Sequence, residues 1–238
     1  MKILAAVMGA IPHAALHQVS RETWGQDFSQ IGDLRFFIGH GDYELKADEV
    51  RVDCPDDKDH ILYKTVELLK WALAREYDLI FKLDTDTYCN VDEIVKRDYS
   101  GYDYVGAPVG NIGDFYSGTN CYSFLQGSAT WVSAKAARIV IDEAIPTMNR
   151  VMPAAMAYNG LICPYPHSED LWIGQALTPH IKSGYLRALP DWSYSDGPYT
   201  YNFARSAKHK MERWMRALHD ARPNLERMQE IHRARDNE

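Results

Sequence analysis

Through the first hundred residues, short apolar runs alternate with longer amphipathic stretches, and few folds accept that order. "KILAAVM" (2–8) reads as a central strand, and after the turn "GAIP" the segment "HAALHQVSRETW" reads as a helix. "LRFFIGH" (34–40) is a second strand. "CPDDKDHILYKTVELLKWALAREY" opens on a proline and acidic residues. It then sets Ile61, Leu62, Val66, Leu68, Leu69 and Leu73 at the three-to-four spacing of an amphipathic helix. "DLIFKL" is a third strand, and "NVDEIVKRD" a short helix that Asn90 can cap. Strand and helix in strict alternation imply an α/β domain, with ligands at the carboxyl ends of the strands.

The second half is less regular. "DYVGAPVG" is a short strand followed by a Gly/Pro turn, and "NIGDFYSGTNCYSFLQGSA" reads as a loop. "SAKAARIVIDEAI" is a helix with Ser133 at its N-cap. In "HSEDLWIGQAL", Ser168 caps a helix whose first turn carries Glu169 and Asp170. Near the end, Met211, Trp214, Met215, Leu218, Leu225 and Met228 share one helical face, with Pro223 dividing the segment. At 238 residues, 46% of them apolar, the chain suits one α/β domain with a sizeable core. The expected layout is a nucleotide-binding half over 1–100, an acceptor-binding half over 101–204 and a helical tail over 205–238.

Charge argues mildly against a general nucleic-acid binder. The formal net charge is −7, although the segment from Arg205 onward holds nine Lys/Arg against six Asp/Glu. A packing helix with a solvated charged face is the plainer reading of that tail. Cys54, Cys89, Cys121 and Cys163 form no CxxC pair, so a zinc site is not indicated and reduced thiols are expected. The opening "MKILAAVMGAIPHAALHQ" has one positive charge and an apolar run broken by Pro12 and His13. It reads as a strand and turn, not a signal peptide. No stretch approaches the roughly 20 apolar residues of a membrane span, so a cytoplasmic location is expected.

"LIFKLDTDTYCN" (79–90) carries the chemistry. If the chain stays extended past the strand, Asp84 and Asp86 point to the same side. Two carboxylates so placed suit a hard divalent cation such as Mn²⁺ or Mg²⁺, and such a cation can bridge a diphosphate. Alone, a DxD is a common accident and reads as a solvated loop.

Its neighbours change the weighting. In order, the chain reads "SRETWG" (20–25), "RFFIG" (35–39), "DDKDHILYKTVELLKWA" (56–72), "FKLDTDTYCN" (81–90), "DYVG" (103–106), "GSATWVS" (127–133) and "SEDLWIG" (168–174). Together, over roughly residues 2–210, these resemble the β-1,3-glycosyltransferase family of family 31 type, which includes the Fringe enzymes and the animal β-1,3-galactosyltransferases. The resemblance implies a GT-A type fold, a Rossmann-like nucleotide-binding half fused to an acceptor half. It implies an inverting transfer of a hexose or N-acetylhexosamine from a UDP-sugar to a hydroxyl, with β-1,3 linkage to a glycan as the family habit.

The same resemblance implies roles. Asp86 would bind Mn²⁺, Asp84 would reach the ribose or the metal's water shell, and His209 would complete the metal shell, with His219 and His232 as alternatives. Thr85 stands where the family has its middle Asp. Asp170 would be the general base and Glu169 the fallback. Arg21 would help hold the nucleotide, Asp56 would contact the uracil and Lys64 would approach the diphosphate, while Trp24 packs in the core. Ser128 and Ala129 narrow a space the family lines with glycine, and Leu171 replaces its Val.

Two other readings compete. In "LIFKLDTDT" a haloacid-dehalogenase-type phosphatase would use Asp84 as nucleophile and Asp86 as general acid. That signature normally ends the first strand of its domain, and here a strand-helix-strand-helix precedes it. A non-catalytic nucleotide- or glycan-binding relic would have lost a metal ligand or the base, whereas Asp84, Asp86, Glu169 and Asp170 are all present. The sugar, the acceptor and the oligomeric state are not legible in the residues.

Overall fold

The computed structural model describes residues 1–99, 101–109, 124–157, 168–191, 200–202, 228–229 and 232–233. A seven-stranded sheet runs in the order β3-β2-β1-β4-β7-β6-β8. Its strands are β1 (Ile3–Met8), β2 (Asp33–His40), β3 (Glu49–Pro55), β4 (Leu79–Asp84), β6 (Tyr104–Val109), β7 (Phe124–Ser133) and β8 (Ala188–Pro190). β1 to β4 are mutually parallel, β7 is antiparallel to both β4 and β6, and β8 is parallel to β6. A separate two-stranded sheet pairs β5 (Thr87–Cys89) with β9 (Thr200–Asn202).

The period of two along the central strands sorts their side chains onto two faces. Leu4, Ala6, Met8, Phe37, Ile80 and Tyr104 face α3 (Ile61–Leu73), α5 (Ala134–Ala157) and α6 (Glu169–Lys182). Ala5, Val7, Phe36, Phe81, Leu83 and Trp131 face α1 (Ala14–Glu22), α2 (Trp24–Phe28) and α4 (Val91–Val95). Met228, from the C-terminal segment, is buried in this second core. The remaining positions 211–225 of the expected helical face lie outside the described residues.

Three departures from the sequence reading have a plain physical reason. β3 was not expected, because Arg51 and Asp53 interrupt its apolar positions. It is an edge strand, and Val52 and Cys54 are its buried apolar residues. β7 begins at Phe124, inside the segment read as a loop. Gly127 and Ser128 are poor strand formers, but the strand lies between β4 and β6, which supply its partners. The helix expected to stop at Ile145 continues through Pro146 to Ala157. Val140, Ala144 and Met148, four residues apart, are buried, and that packing outweighs the hydrogen bond lost at proline.

β1 is the switch point of the sheet: β2 lies on one side of it and β4 on the other. In open α/β sheets the crevice outside the carboxyl ends of two such strands is where ligands bind. Gly9–His13 follow β1 at this end and Thr85–Asp86 follow β4.

Candidate active site

Lys82 is in phase with Ile80 and so points into the helix-covered face, where it is 2% exposed. A buried ammonium needs partners. It donates to the Gly127 carbonyl at 2.7 Å, lies 3.0 Å from the Glu169 carboxylate and 3.7 Å from that of Asp84. Burial pulls this ammonium down, but the charges of Glu169 and Asp84 outweigh it and hold it above its ordinary value.

β7 supplies its carbonyl through an irregularity. The register between β6 and β7 shifts between Gly106–Thr130 and Pro108–Leu125, and Thr130 Oγ1 donates to the Gln126 carbonyl at 2.6 Å. Bulges beside a site re-aim backbone groups in this way. Only glycine fits at 127: a Cβ there would lie 2.8 Å from Glu169 Oε2 and 3.2 Å from Asp170 Cβ.

Glu169 and Asp170 both open α6, at the positive end of its dipole, yet their surroundings differ. Glu169 is enclosed at 4% exposure and shares the Thr65 hydroxyl, 3.3 Å away, with the Ile61 carbonyl at 3.1 Å. Burial pushes its carboxyl up to about 7; Lys82 opposes the rise, and Asp170 and Asp84 add to it. Asp170 is half-buried and accepts from the Gly127 N–H at 3.3 Å and the Leu171 N–H at 3.0 Å. A cavity of about 10 Å³ beneath the pair is lined by Thr65, Tyr104, Leu125, Val140 and Ile173. It has room for roughly one water.

The two aspartates of the DTD do not lie on one continuous strand. β4 ends at Asp84, the chain turns at Thr85–Asp86, and strand resumes at Thr87. The extended geometry assumed from sequence is therefore replaced by a turn. Thr85 is buried at its apex, 3.1 Å from His13 Nδ1, and Thr87 Oγ1 donates to the Ser128 carbonyl at 3.0 Å. Asp84 and Asp86 stay half-buried at the mouth. Among the described residues no three His, Cys, Asp or Glu side chains gather into a metal set, and His209 lies outside those residues.

The structure brings Asp84, Glu169 and Asp170 together around Lys82, with Thr85 and Asp86 in the adjoining turn, and gives Arg21, Asp56 and Lys64 protein partners of their own. Asp56 accepts from the Ile11 N–H at 2.7 Å and the Gly39 N–H at 3.0 Å, and pairs with Lys64, which also donates to the Gly9 carbonyl at 2.9 Å. Burial would raise the Asp56 carboxyl, but Lys64 and these amides hold it below its ordinary value. The pair thus staples the carboxyl ends of β1, β2 and β3. Gly39 is needed for this, since a Cβ would lie 2.7 Å from the Cys54 carbonyl. Arg21 gives Nε and Nη2 to Asp48 at 2.7 and 2.8 Å, and Nη2 also to Glu49 at 2.7 Å, with its guanidinium over the Phe36 ring. Trp24 is fully buried in the core, as expected. His232 lies 3.2 Å from the Tyr88 hydroxyl. Cys54 and Cys89 are free, buried thiols.

Sequence reasoning missed Lys82, Thr65 and His13 as parts of the site. Lys82 did leave a signal: a lysine inside "LIFKLD" falls at a buried strand position, which demands a counter-charge. Thr65 and His13 left none.

No family model matches the chain, and no curated protein matches it. Solved structures do. The chain is similar to the crystal structure of a glycosyltransferase involved in the glycosylation of the major capsid of PBCV-1, at 12% identity and a TM-score of 0.53. The match covers 91% of this chain and 99% of that one. With the mostly parallel seven-stranded sheet, that likeness establishes a GT-A-like α/β fold. Among the described residues, no helix is long and apolar enough to cross a membrane.

Proposed function

We propose that this chain is a metal-dependent, inverting glycosyltransferase that moves a hexose or N-acetylhexosamine from a UDP-sugar to an acceptor hydroxyl. The observation that carries the reading is the grouping, at the ligand-binding end of the sheet, of the DTD turn with the carboxylate pair of α6. They meet through Lys82, which touches Asp84, Glu169 and the Gly127 that seats Asp170.

The donor set suits a hard cation. Asp84 and Asp86 offer carboxylate oxygens, and one ammonium faces an excess of carboxylates, which leaves negative charge for a divalent ion to balance. These two residues would hold Mn²⁺ or Mg²⁺, with His209 as the proposed third protein ligand. When bound, the ion stabilises the charge of the departing diphosphate.

The remaining work falls to the chain. The acceptor oxygen forms its bond to the sugar carbon as the bond to the diphosphate breaks, and the hydroxyl proton passes to Asp170. Asp170 suits this task because it is reachable from solvent and held by two backbone N–H groups. Glu169, the fallback base, is enclosed and engaged by Lys82 and Thr65, which favours a supporting role. A β-1,3 linkage to a glycan follows the family that the motifs resemble.

The test is release of nucleoside diphosphate from UDP-, GDP- and dTDP-sugars, with and without Mn²⁺, for the wild type, Asp86→Ala and Asp170→Asn. The expected result is turnover of one UDP-sugar that requires metal and is lost in Asp86→Ala. Asp170→Asn should lower it by about 10²- to 10⁴-fold. Failure to bind or turn over any donor, together with hydrolysis of a simple phosphoester, would overturn the reading and make Asp84 a nucleophile.

A further inference from the structure

The crevice beside β1 poses a problem for any nucleotide bound there. Arg21, Asp56 and Lys64, the side chains that sequence offered for it, are engaged by the protein itself. Asp56 accepts two backbone amides, Lys64 holds a backbone carbonyl, and Arg21 is held by Asp48 and Glu49. Arg21 keeps one unpaired donor, the buried Nη1, and the crevice offers one further side chain for the nucleotide's oxygens.

His13 is placed for it. It closes the short 3₁₀ turn Ile11–His13 that follows β1. The turn is fixed at its start by Asp56, which accepts the Ile11 N–H, and within by the His13 N–H donating to the Ala10 carbonyl at 2.9 Å. The imidazole reaches across the switch point to Thr85, in the turn between Asp84 and Asp86. Burial holds His13 below its ordinary value, so the ring is neutral at neutral pH. In the tautomer in which the Thr85 hydroxyl donates to Nδ1, the ring proton sits on Nε2. Nε2 has no partner among the described residues.

We infer that His13 is a nucleotide-contacting residue, whose Nε2–H donates to a ribose or diphosphate oxygen of the donor and whose ring is aimed by Thr85. This inference rests on the donor reading above and extends it. It also gives the middle residue of the DTD a purpose. A hydroxyl at position 85 can donate to a neutral imidazole, which an ionised carboxylate cannot do.

Calorimetric titration of UDP in the presence of Mn²⁺ tests this, with donor KM and kcat measured alongside. The proteins are wild type, His13→Ala, His13→Gln and Thr85→Val. One lost hydrogen bond predicts about three- to tenfold weaker UDP binding for His13→Ala. KM should rise by a similar factor at unchanged kcat, the pattern of binding shared by ground and transition states. His13→Gln, which restores an N–H near the Nε2 position, should recover most of the affinity, and Thr85→Val should lose part of it. UDP binding by His13→Ala equal to wild type would overturn the assignment and leave the transferase reading intact. If His13→Ala is unstable, His13→Gln and Thr85→Val decide: a drop in kcat at unchanged KM in both would make the role structural and overturn it. Wild-type protein that binds no nucleoside diphosphate would bring down the donor reading itself.

Discussion

Glu169→Gln should make this protein more stable at neutral and alkaline pH relative to acid, although it removes one half of a buried ion pair. Burial, only partly offset by Lys82 and reinforced by Asp170 and Asp84, raises the Glu169 carboxyl from 4.5 to about 7. A carboxyl raised on folding binds its proton more tightly in the folded state. Folding then takes up a proton between about pH 4.5 and pH 7, and stability falls as pH rises through that window. The rise, at 1.36 kcal/mol per unit, comes to about 3 kcal/mol. Glutamine keeps the shape and cannot ionise. Urea denaturation at intervals from pH 4.5 to 8 should therefore show Glu169→Gln gaining on wild type by about 3 kcal/mol across the range, with most of the gain complete near pH 7. Contributions from groups remote from Glu169 cancel in the difference. A difference that stays flat, or that moves toward wild type as pH rises, would refute the account and mean that Lys82 fully compensates the buried charge.

Two further substitutions probe the same architecture. Gly127→Ala should cost about 1–3 kcal/mol by overpacking, because its Cβ meets Glu169 Oε2 at 2.8 Å and Lys82 Nζ at 3.3 Å and these atoms are held on several sides. Turnover should fall with it, whereas wild-type stability and turnover would show that the β7 bulge yields freely. Lys64→Met should cost about 3–5 kcal/mol by leaving the Asp56 carboxylate buried without its cation. Urea denaturation measures this, and a loss under about 1 kcal/mol would mean that the Ile11 and Gly39 amides suffice for Asp56.

The first half of the fold was legible because its signals are local. β1, β2 and β4 are continuous apolar runs, and α3 keeps the three-to-four spacing of Leu62, Val66 and Leu69. β3 and β7 depend on neighbours that the sequence does not display: an edge position for one, and a place between β4 and β6 for the other. The site divides likewise. Asp84, Glu169 and Asp170 converge because strand ends and helix starts lie at one end of such a sheet. Arg21, Asp56 and Lys64 carry the right charge for a nucleotide, but charge alone does not say whether a phosphate or another side chain answers it. Only the positions of Asp48, Glu49 and three backbone groups decide that.

The contrast between Glu169 and Asp170 follows from one residue step along the helix. Adjacent residues at a helix start point about 100° apart, so when one carboxylate faces the core the next faces the crevice. Enclosure makes Glu169 hard to ionise and ties it to Lys82, whereas Asp170 is the more accessible of the two. Carboxylates set in contrasting environments take different roles. α3 joins this arrangement to the nucleotide crevice through consecutive residues, since Lys64 secures Asp56 while the Thr65 hydroxyl reaches Glu169. A shift of α3 would therefore disturb both the staple at the strand ends and the surroundings of Glu169.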